Sequence, residues 1–315
     1  MLFEIKIVSS LLLFSGGLDS MLAAKILQNA GVEVFLINFV SAFFDSKRAQ
    51  KSAQILDLQK NLIVENFTSA HLKIVKNPPS GWGKNLNPCV DCHSLMLKCA
   101  EKIRVEKKID ILATGEVLGQ RPFSQNKNAF LRIEKLTNLR GKILRPLSAK
   151  ILTPTKFEIS GKIDREKLEK ISGRSRKRQL ELAKKFKIEN FPNASGGCIL
   201  TDPQFSKNCK KLLEIFPAVT GEDFQILKFG RFFVFENLAV ILVGRNAEEN
   251  SELKLRAKTQ DFLVKMKNFP GPTALVRFFD KSKFEQKCLE FAATKVQFFS
   301  SRAREKKVEF DFLKI

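Results

Sequence analysis

Apolar positions in the first 120 residues fall into two alternating textures. Residues 5–14 (IKIVSSLLLF) form an apolar, β-prone run that ends at a Gly pair, and residues 32–40 (VEVFLINFV) form a near-continuous one, as a strand buried on both faces requires. Between them, residues 18–29 carry Met21, Leu22, Ala24, Ile26 and Leu27 at helical spacing, and Gly31 stops the helix. The pattern then predicts a helix over 47–62, a short strand over 71–75 opened by His71, a Pro/Gly/Asn-rich loop over 77–88, a helix over 90–104 and a strand over 109–114. Strand and helix in alternation imply an α/β fold built on a doubly wound parallel sheet.

Beyond residue 142 the pattern is mixed, with Pro146 and Pro154. Helices are predicted over 164–171, 177–186 and 203–216, and a turn over 193–197 leads into Cys198. After Pro217 the texture changes to short β runs, 231–236 and 238–243, with a helix over 247–257 and a basic stretch over 300–307. This predicts two domains, 1–216 and 217–315, the second smaller and α+β. No internal repeat is present.

Charge adds a partner to this picture. Lys and Arg number 55 against 33 Asp and Glu, a net charge of +22 over 315 residues, which points to a polyanion. The longest apolar stretch, 34–44, is about half a bilayer span and contains Asn38, and no cleavage-site pattern follows the N-terminus. A cytoplasmic protein with no membrane contact is therefore expected, which favours nucleic acid as the polyanion; oligomeric state is left open. Six cysteines in a chain of this size suggest metal or redox chemistry rather than a disulfide framework. The absence of Tyr beside 29 Phe has no functional account.

The chemistry begins at Ser15-Gly16-Gly17-Leu18-Asp19-Ser20, between the first strand and the first helix. Two glycines let backbone approach a phosphate, Ser15 and Ser20 offer hydroxyls, the helix N-terminus supplies N–H groups, and Asp19 can hold the loop or carry Mg2+. No Lys follows the glycines, so this is not a Walker loop. The string resembles the signature of the PP-loop ATP pyrophosphatases, which cleave ATP to AMP and pyrophosphate. The string 114–120 (TGEVLGQ), with Ser124-Gln125 after it, resembles the 4-thiouridine synthase (ThiI) family within that superfamily. The resemblance implies an adenine nucleotide alpha hydrolase-like fold, with Gly115 and Gln125 on the adenosine and Asn38 and Phe39 near the adenine. That family carries a basic residue on ATP where this chain has His93, so His93 is a candidate by position and a departure in kind.

Cys89-Val90-Asp91-Cys92 puts two thiols one helical turn apart, a spacing that suits a shared metal, a cluster or a redox pair. Cys198 supplies a third. In thiolases of the same superfamily a CxxC and one distant Cys hold a [4Fe-4S] cluster with one iron left open. The resemblance therefore implies Cys89, Cys92 and Cys198 as cluster ligands, with persulfide chemistry on the same residues as the competitor. Cys99, Cys209 and Cys288 lie in apolar helical runs and read as core thiols. The Arg174–Arg178 run concentrates positive charge suited to phosphates, and Arg121 and Arg145 are weaker candidates for the same role.

In the second domain, Val243-Gly244-Arg245-Asn246, Glu249-Asn250 and Pro270-Gly271-Pro272 resemble the RNA-binding module of NFACT proteins (NFACT-R). The THUMP and rhodanese domains usual in ThiI proteins have no place here, so the module is expected to grip tRNA instead. The expected activity is ATP-dependent tRNA thiolation yielding 4-thiouridine, with sulfur from a cysteine desulfurase or sulfide. The alternatives are tRNA 2-thiolation, as in the MnmA group, and a non-catalytic RNA-binding protein with a degenerate loop.

Overall fold

The structure, a computed structural model, describes residues 7–191, 198–279 and 285–315. The predicted turn at 193–197 lies outside them. By internal packing the chain divides into two compact units, Met1–Thr201 and Asp202–Ile315. The helix predicted over 203–216 thus packs with the second unit rather than the first.

The first unit holds β1 (Ser9–Leu13), α1 (Leu18–Asn29), β2 (Glu33–Val40), α2 (Lys47–Ile55), β3 (Leu62–Asn66), α3 (Thr68–Lys76), α4 (Cys89–Glu106), β4 (Ile111–Thr114), α5 (Lys127–Thr137), α6 (Lys156–Ile159) and α7 (Lys177–Lys185). Its four strands are parallel, in the order β3-β2-β1-β4. Side chains alternate across the sheet. Leu12, Leu36 and Ala113 join the core formed with α1, α2 and α7, whereas Leu11, Ile37 and Leu112 join the core formed with α4 and α5. Covered on both faces, the sheet can afford strands with no polar side, which is why β1 and β2 read as unbroken apolar runs.

Several predicted elements differ. The helix over 47–62 stops at Ile55, because Asp57 takes φ +55 and ends the helical path. Leu62–Asn66 then becomes an edge strand beside β2. The strand expected over 71–75 is helical instead: α3 buries His71 and Val75 four residues apart. His71 is 1 % exposed and stacks on Phe67, with Phe43 and Phe44 beside it. The helix over 164–171 shrinks to a single 3-10 turn, Arg165–Lys167, capped by Asp164. Helix α5 has no counterpart in the sequence pattern drawn above, although Asn126 caps it by accepting from the Ala129 N–H at 2.8 Å.

The second unit holds α8 (Pro203–Ile215), α9 (Gly221–Ile226), β5 (Arg231–Phe235), β6 (Ala239–Val243), α10 (Ala247–Leu255), β7 (Phe262–Met266), β8 (Ala274–Phe278), α11 (Glu285–Phe298) and β9 (Phe310–Lys314). Its sheet is antiparallel, in the order β5-β6-β8-β7-β9. The basic stretch at 300–307 is therefore not a trailing tail; it leads into β9, which pairs with β7 from Phe262↔Lys314 to Met266↔Phe310. Among the described residues no helix is long and apolar enough to cross a membrane.

Arg277 of β8 ties this unit together. It is 4 % exposed, donates to Asp261 at 2.7 Å and to Asp223 at 2.8 Å, and also reaches the Arg256 carbonyl. Both aspartates are buried, so removing the cation strands two charges. Arg277→Leu should lower the unfolding free energy of the second unit by roughly 3–5 kcal/mol, measured by urea denaturation; a loss within 1 kcal/mol would contradict this account.

Candidate nucleotide and thiol site

The glycine loop leaves the carboxyl end of β1 and enters α1. Gly16 sits at φ +71, and a Cβ there would lie 2.6 Å from the Arg48 carbonyl oxygen, so the loop lies against α2 and only glycine fits. Ser52 Oγ fastens it by donating to the Gly16 carbonyl at 2.8 Å. Gly17 is the N-cap of α1 and has no side chain to cap the helix, which leaves the first N–H groups facing the loop. Ser20 Oγ donates to the Gly17 carbonyl at 2.8 Å and lies 3.5 Å from Ser15 Oγ, while the Gly17 N–H donates to Ser15 Oγ at 3.3 Å.

The end of β4 abuts this loop. A Cβ on Gly115 would lie 2.7 Å from Ser20 Cα, so glycine is required by the approach of strand to helix. Asp19 Oδ2 accepts from Gln120 at 2.8 Å, and Gln179 reaches Gln120 at 3.4 Å. Asp19 Oδ1 is buried without a hydrogen-bond partner, as are Asn38 Oδ1 and Gln125 Oε1. Buried acceptors left unpaired at the mouth of a parallel sheet are the kind of group a ligand satisfies. Asn38 also donates to the Phe14 carbonyl at 2.8 Å, bracing the start of the loop. The next residue, Phe39, is 4 % exposed, with its ring 5.2 Å from that of Phe67 in the core.

Sequence reasoning missed Arg48. Its Nη2 lies 3.0 Å from where a Gly17 Cβ would be. Burial lowers its pKa, and the charges of Arg121 and Arg176 lower it further. Arg176 comes near Arg48 because Gly173 N–H bonds to the Leu118 carbonyl at 2.7 Å, which lays the basic run along the segment after β4. Only part of that run is directed this way, since Arg178 is paired with Glu169 and Glu181. Arg145 has a different use from the one considered above. It is 4 % exposed, bonded to Glu116 at 3.0 Å and Glu134 at 2.8 Å, and stacked over Phe130.

The CxxC opens α4. Asn87 donates to Cys89 Sγ at 3.2 Å, and Asp91 accepts from the Ser80 N–H at 2.8 Å, which closes the preceding loop. Asn85 donates to the Thr201 carbonyl at 2.7 Å, and Thr201 in turn bonds the Cys198 carbonyl. This lacing brings the third thiol to the first two. Burial pushes the Cys92 thiol well up, and the charges of Cys198, Cys89 and Asp91 add to the rise. Cys198 is raised by burial and by Cys89, against opposing hydrogen bonds from backbone. Among the described residues no three His, Cys, Asp or Glu side chains are gathered tightly enough to hold a single metal ion. The thiols are neighbours rather than a one-ion cage. Cys209 and Cys288 are wholly buried, while Cys99 is half-buried against the α4 core.

His93 joins the two halves of the site. Its Nδ1 lies 3.0 Å from Glu116 Oε1, and Glu116 Oε2 accepts from Thr114 and Arg145 at 3.0 Å each. Burial alone would raise the Glu116 carboxyl, but Arg145 and His93 more than offset this and hold it at about 2. A folded pKa below the unfolded value of 4.5 stabilises the fold fully above pH 4.5, and the benefit is lost as pH falls toward 2. Glu116→Gln should cost roughly 3 kcal/mol at neutral pH. The gap between wild type and variant should close on acidification from about pH 5, measured by denaturation across pH; a gap independent of pH would contradict it.

Residues 8–152 match the family described as thiamine biosynthesis protein (ThiI), and residues 230–314 match the NFACT protein RNA binding domain. A probable tRNA sulfurtransferase of Finegoldia magna is 36 % identical over 141 residues, covering 44 % of this chain and 35 % of the relative. One of Oceanobacillus iheyensis is 32 % identical over 147 residues, covering 44 % and 34 %. The chain thus spans about a third of the length of these curated relatives. Among solved structures, a 4-thiouridine synthetase–RNA complex with bound ATP is 19 % identical with a TM-score of 0.40, covering 69 % of this chain and 53 % of that one. Residues 8–152 are accordingly similar to the ThiI family, in one chain with a segment, residues 230–314, similar to the NFACT RNA-binding domain.

Proposed function

We propose that the protein thiolates tRNA at the expense of ATP, forming 4-thiouridine. The observation that carries this reading is that the glycine loop and the CxxC both lie in residues 8–152, the ThiI-matching segment, joined through Gly115, Glu116 and His93, while Cys198 is tied to the loop before the CxxC through Thr201 and Asn85. The loop N–H groups at the start of α1, with Arg48, Arg121 and Arg176, suit the phosphates of ATP. Asp19, with one buried oxygen unpaired, fits Mg2+. Asn38, Gly115 and Gln125 are the proposed neighbours of the nucleoside, with the Phe39 backbone beside Asn38.

In this scheme the uridine O4 attacks the α-phosphate and pyrophosphate leaves, so that O4 departs later as AMP rather than as hydroxide. Sulfur then attacks C4 and AMP is expelled. Cys89, Cys92 and Cys198 suit sulfur delivery in either of two forms. As a persulfide, the terminal sulfur attacks C4, and a second thiol then attacks the inner sulfur, releasing thiouridine and leaving a disulfide for an external thiol to reduce. Alternatively, Cys89, Cys92 and Cys198 would hold a [4Fe-4S] cluster by three thiolates, and the cluster would supply a site for exogenous sulfide. Arg174 and Lys177, both exposed, and the NFACT-type domain suit contact with tRNA phosphates. The sulfur source in this proposal is a cysteine desulfurase or free sulfide.

Gly16→Ala should abolish tRNA-stimulated ATP–pyrophosphate exchange, because the added methyl meets the Arg48 carbonyl at 2.6 Å; exchange at wild-type rate would refute the loop's role. Cys198→Ala should retain exchange and lose thiolation, read by mass spectrometry of tRNA nucleosides. The same spectra separate 4-thiouridine from 2-thiouridine, and thiouridine at wild-type level in the variant would remove Cys198 from the chemistry. Anaerobic reconstitution should give iron–sulfur absorbance that Cys89→Ser/Cys92→Ser lacks; a colourless, active protein would leave the persulfide route.

A further inference from the structure

One seam of the second unit combines aromatic rings with unneutralised cations. Strand β5 is the outer strand of the sheet, and its Arg231, Phe233 and Phe235 lie along one flank of α11. Phe233 stands 6.0 Å from Phe299, Phe235 stands 5.5 Å from Phe291, and Phe298 meets Phe299 edge to face at 5.0 Å. Cations cap these rings. Arg231 is 4.3 Å from the Phe299 centroid, Lys295 is 4.7 Å from Phe291 and 5.4 Å from Phe233, and Arg304 is 5.2 Å from Phe298.

Two features separate this seam from an ordinary core margin. Phe298 is 56 % exposed, although burying its ring would be favourable. Arg231, Lys295 and Arg304 have no carboxylate partner among the described residues. On the far side of the same sheet the opposite holds: Lys265 and Lys267 face Asp311 and Glu309 across the β7–β9 pair, at 3.4 and 3.8 Å. Cations without a carboxylate partner are complementary to an anion from outside, and the exposed Phe298 ring beside them offers a face to a flat partner.

We infer that the β5–α11 seam is the surface on which this unit holds RNA, and that it takes the RNA single-stranded, with bases stacked on the Phe298–Phe299 pair and phosphates met by Arg231, Lys295 and Arg304. A duplex hides its base faces and would engage only the cations. This rests on the reading of the chain as an RNA-binding enzyme and gives that reading a mode and a location.

The test uses the full chain and fluorescence anisotropy with two probes, a labelled oligouridine and a fully paired RNA duplex of equal length. Phe298→Leu keeps an apolar side chain at an exposed position and should weaken oligouridine binding roughly five- to hundredfold, leaving duplex binding unchanged. Arg304→Gln should reduce the slope of log K against log salt for oligouridine by about 0.7. Lys265→Gln/Lys267→Gln on the far side should bind as wild type does. Wild-type affinity in both seam variants, or a Phe298→Leu loss equal for the two probes, would overturn the seam while leaving RNA binding intact. Failure of the wild-type chain to bind either probe would instead overturn the RNA-binding reading itself.

Discussion

A carboxylate can be buried only where cations and donors surround it, and Glu116 meets that demand by drawing together parts of the chain far apart in sequence. Its two oxygens take Thr114 from the end of β4, Arg145 from the segment that returns beside that strand, and His93 from the first turn of α4. Arg145 adds Glu134 from α5. If the cluster were loosened, the CxxC turn, the end of β4 and α5 would each lose their angular reference. Gly115, one residue earlier, is pressed against Ser20 at the start of the glycine loop. One short string therefore sets the loop against the thiols, and this explains why TGE carries more information than its length suggests.

The candidate site lies at the carboxyl ends of the parallel strands, where general arguments about doubly wound sheets expect one. The helix dipole of α1, the unpaired acceptors on Asp19, Asn38 and Gln125, and the three arginines share that region of the first unit. The thiols stand at the opening of α4, on the other face of the sheet from α1.

Much of this was legible in the sequence. Continuous apolar runs bounded by glycine fixed β1 and β2, and the glycine string fixed the loop between β1 and α1. What escaped had physical causes. His71 through Val75 reads as a strand because its apolar run is short, and only the packing of His71 against three phenylalanines makes it helical. The end of α2 depends on a left-handed Asp57, which nothing in its neighbours requires. Strand β9 had no counterpart in the sequence reading, because its pairing with β7 is remote in sequence. Arg48 was invisible for a related reason: it lies in a polar helix and gains its meaning only from proximity to Gly17, Arg121 and Arg176.

That arginine cluster also bears on how the protein behaves when idle. The charges of Arg121 and Arg176 disfavour the Arg48 cation, a repulsion that an anion bound beside it would relieve. Any phosphate compound that relieves it binds the native chain and not the unfolded one, so occupancy and conformational stability become a single quantity linked by mass action. A sample saturated with such an anion would therefore resist unfolding more than a dialysed one does.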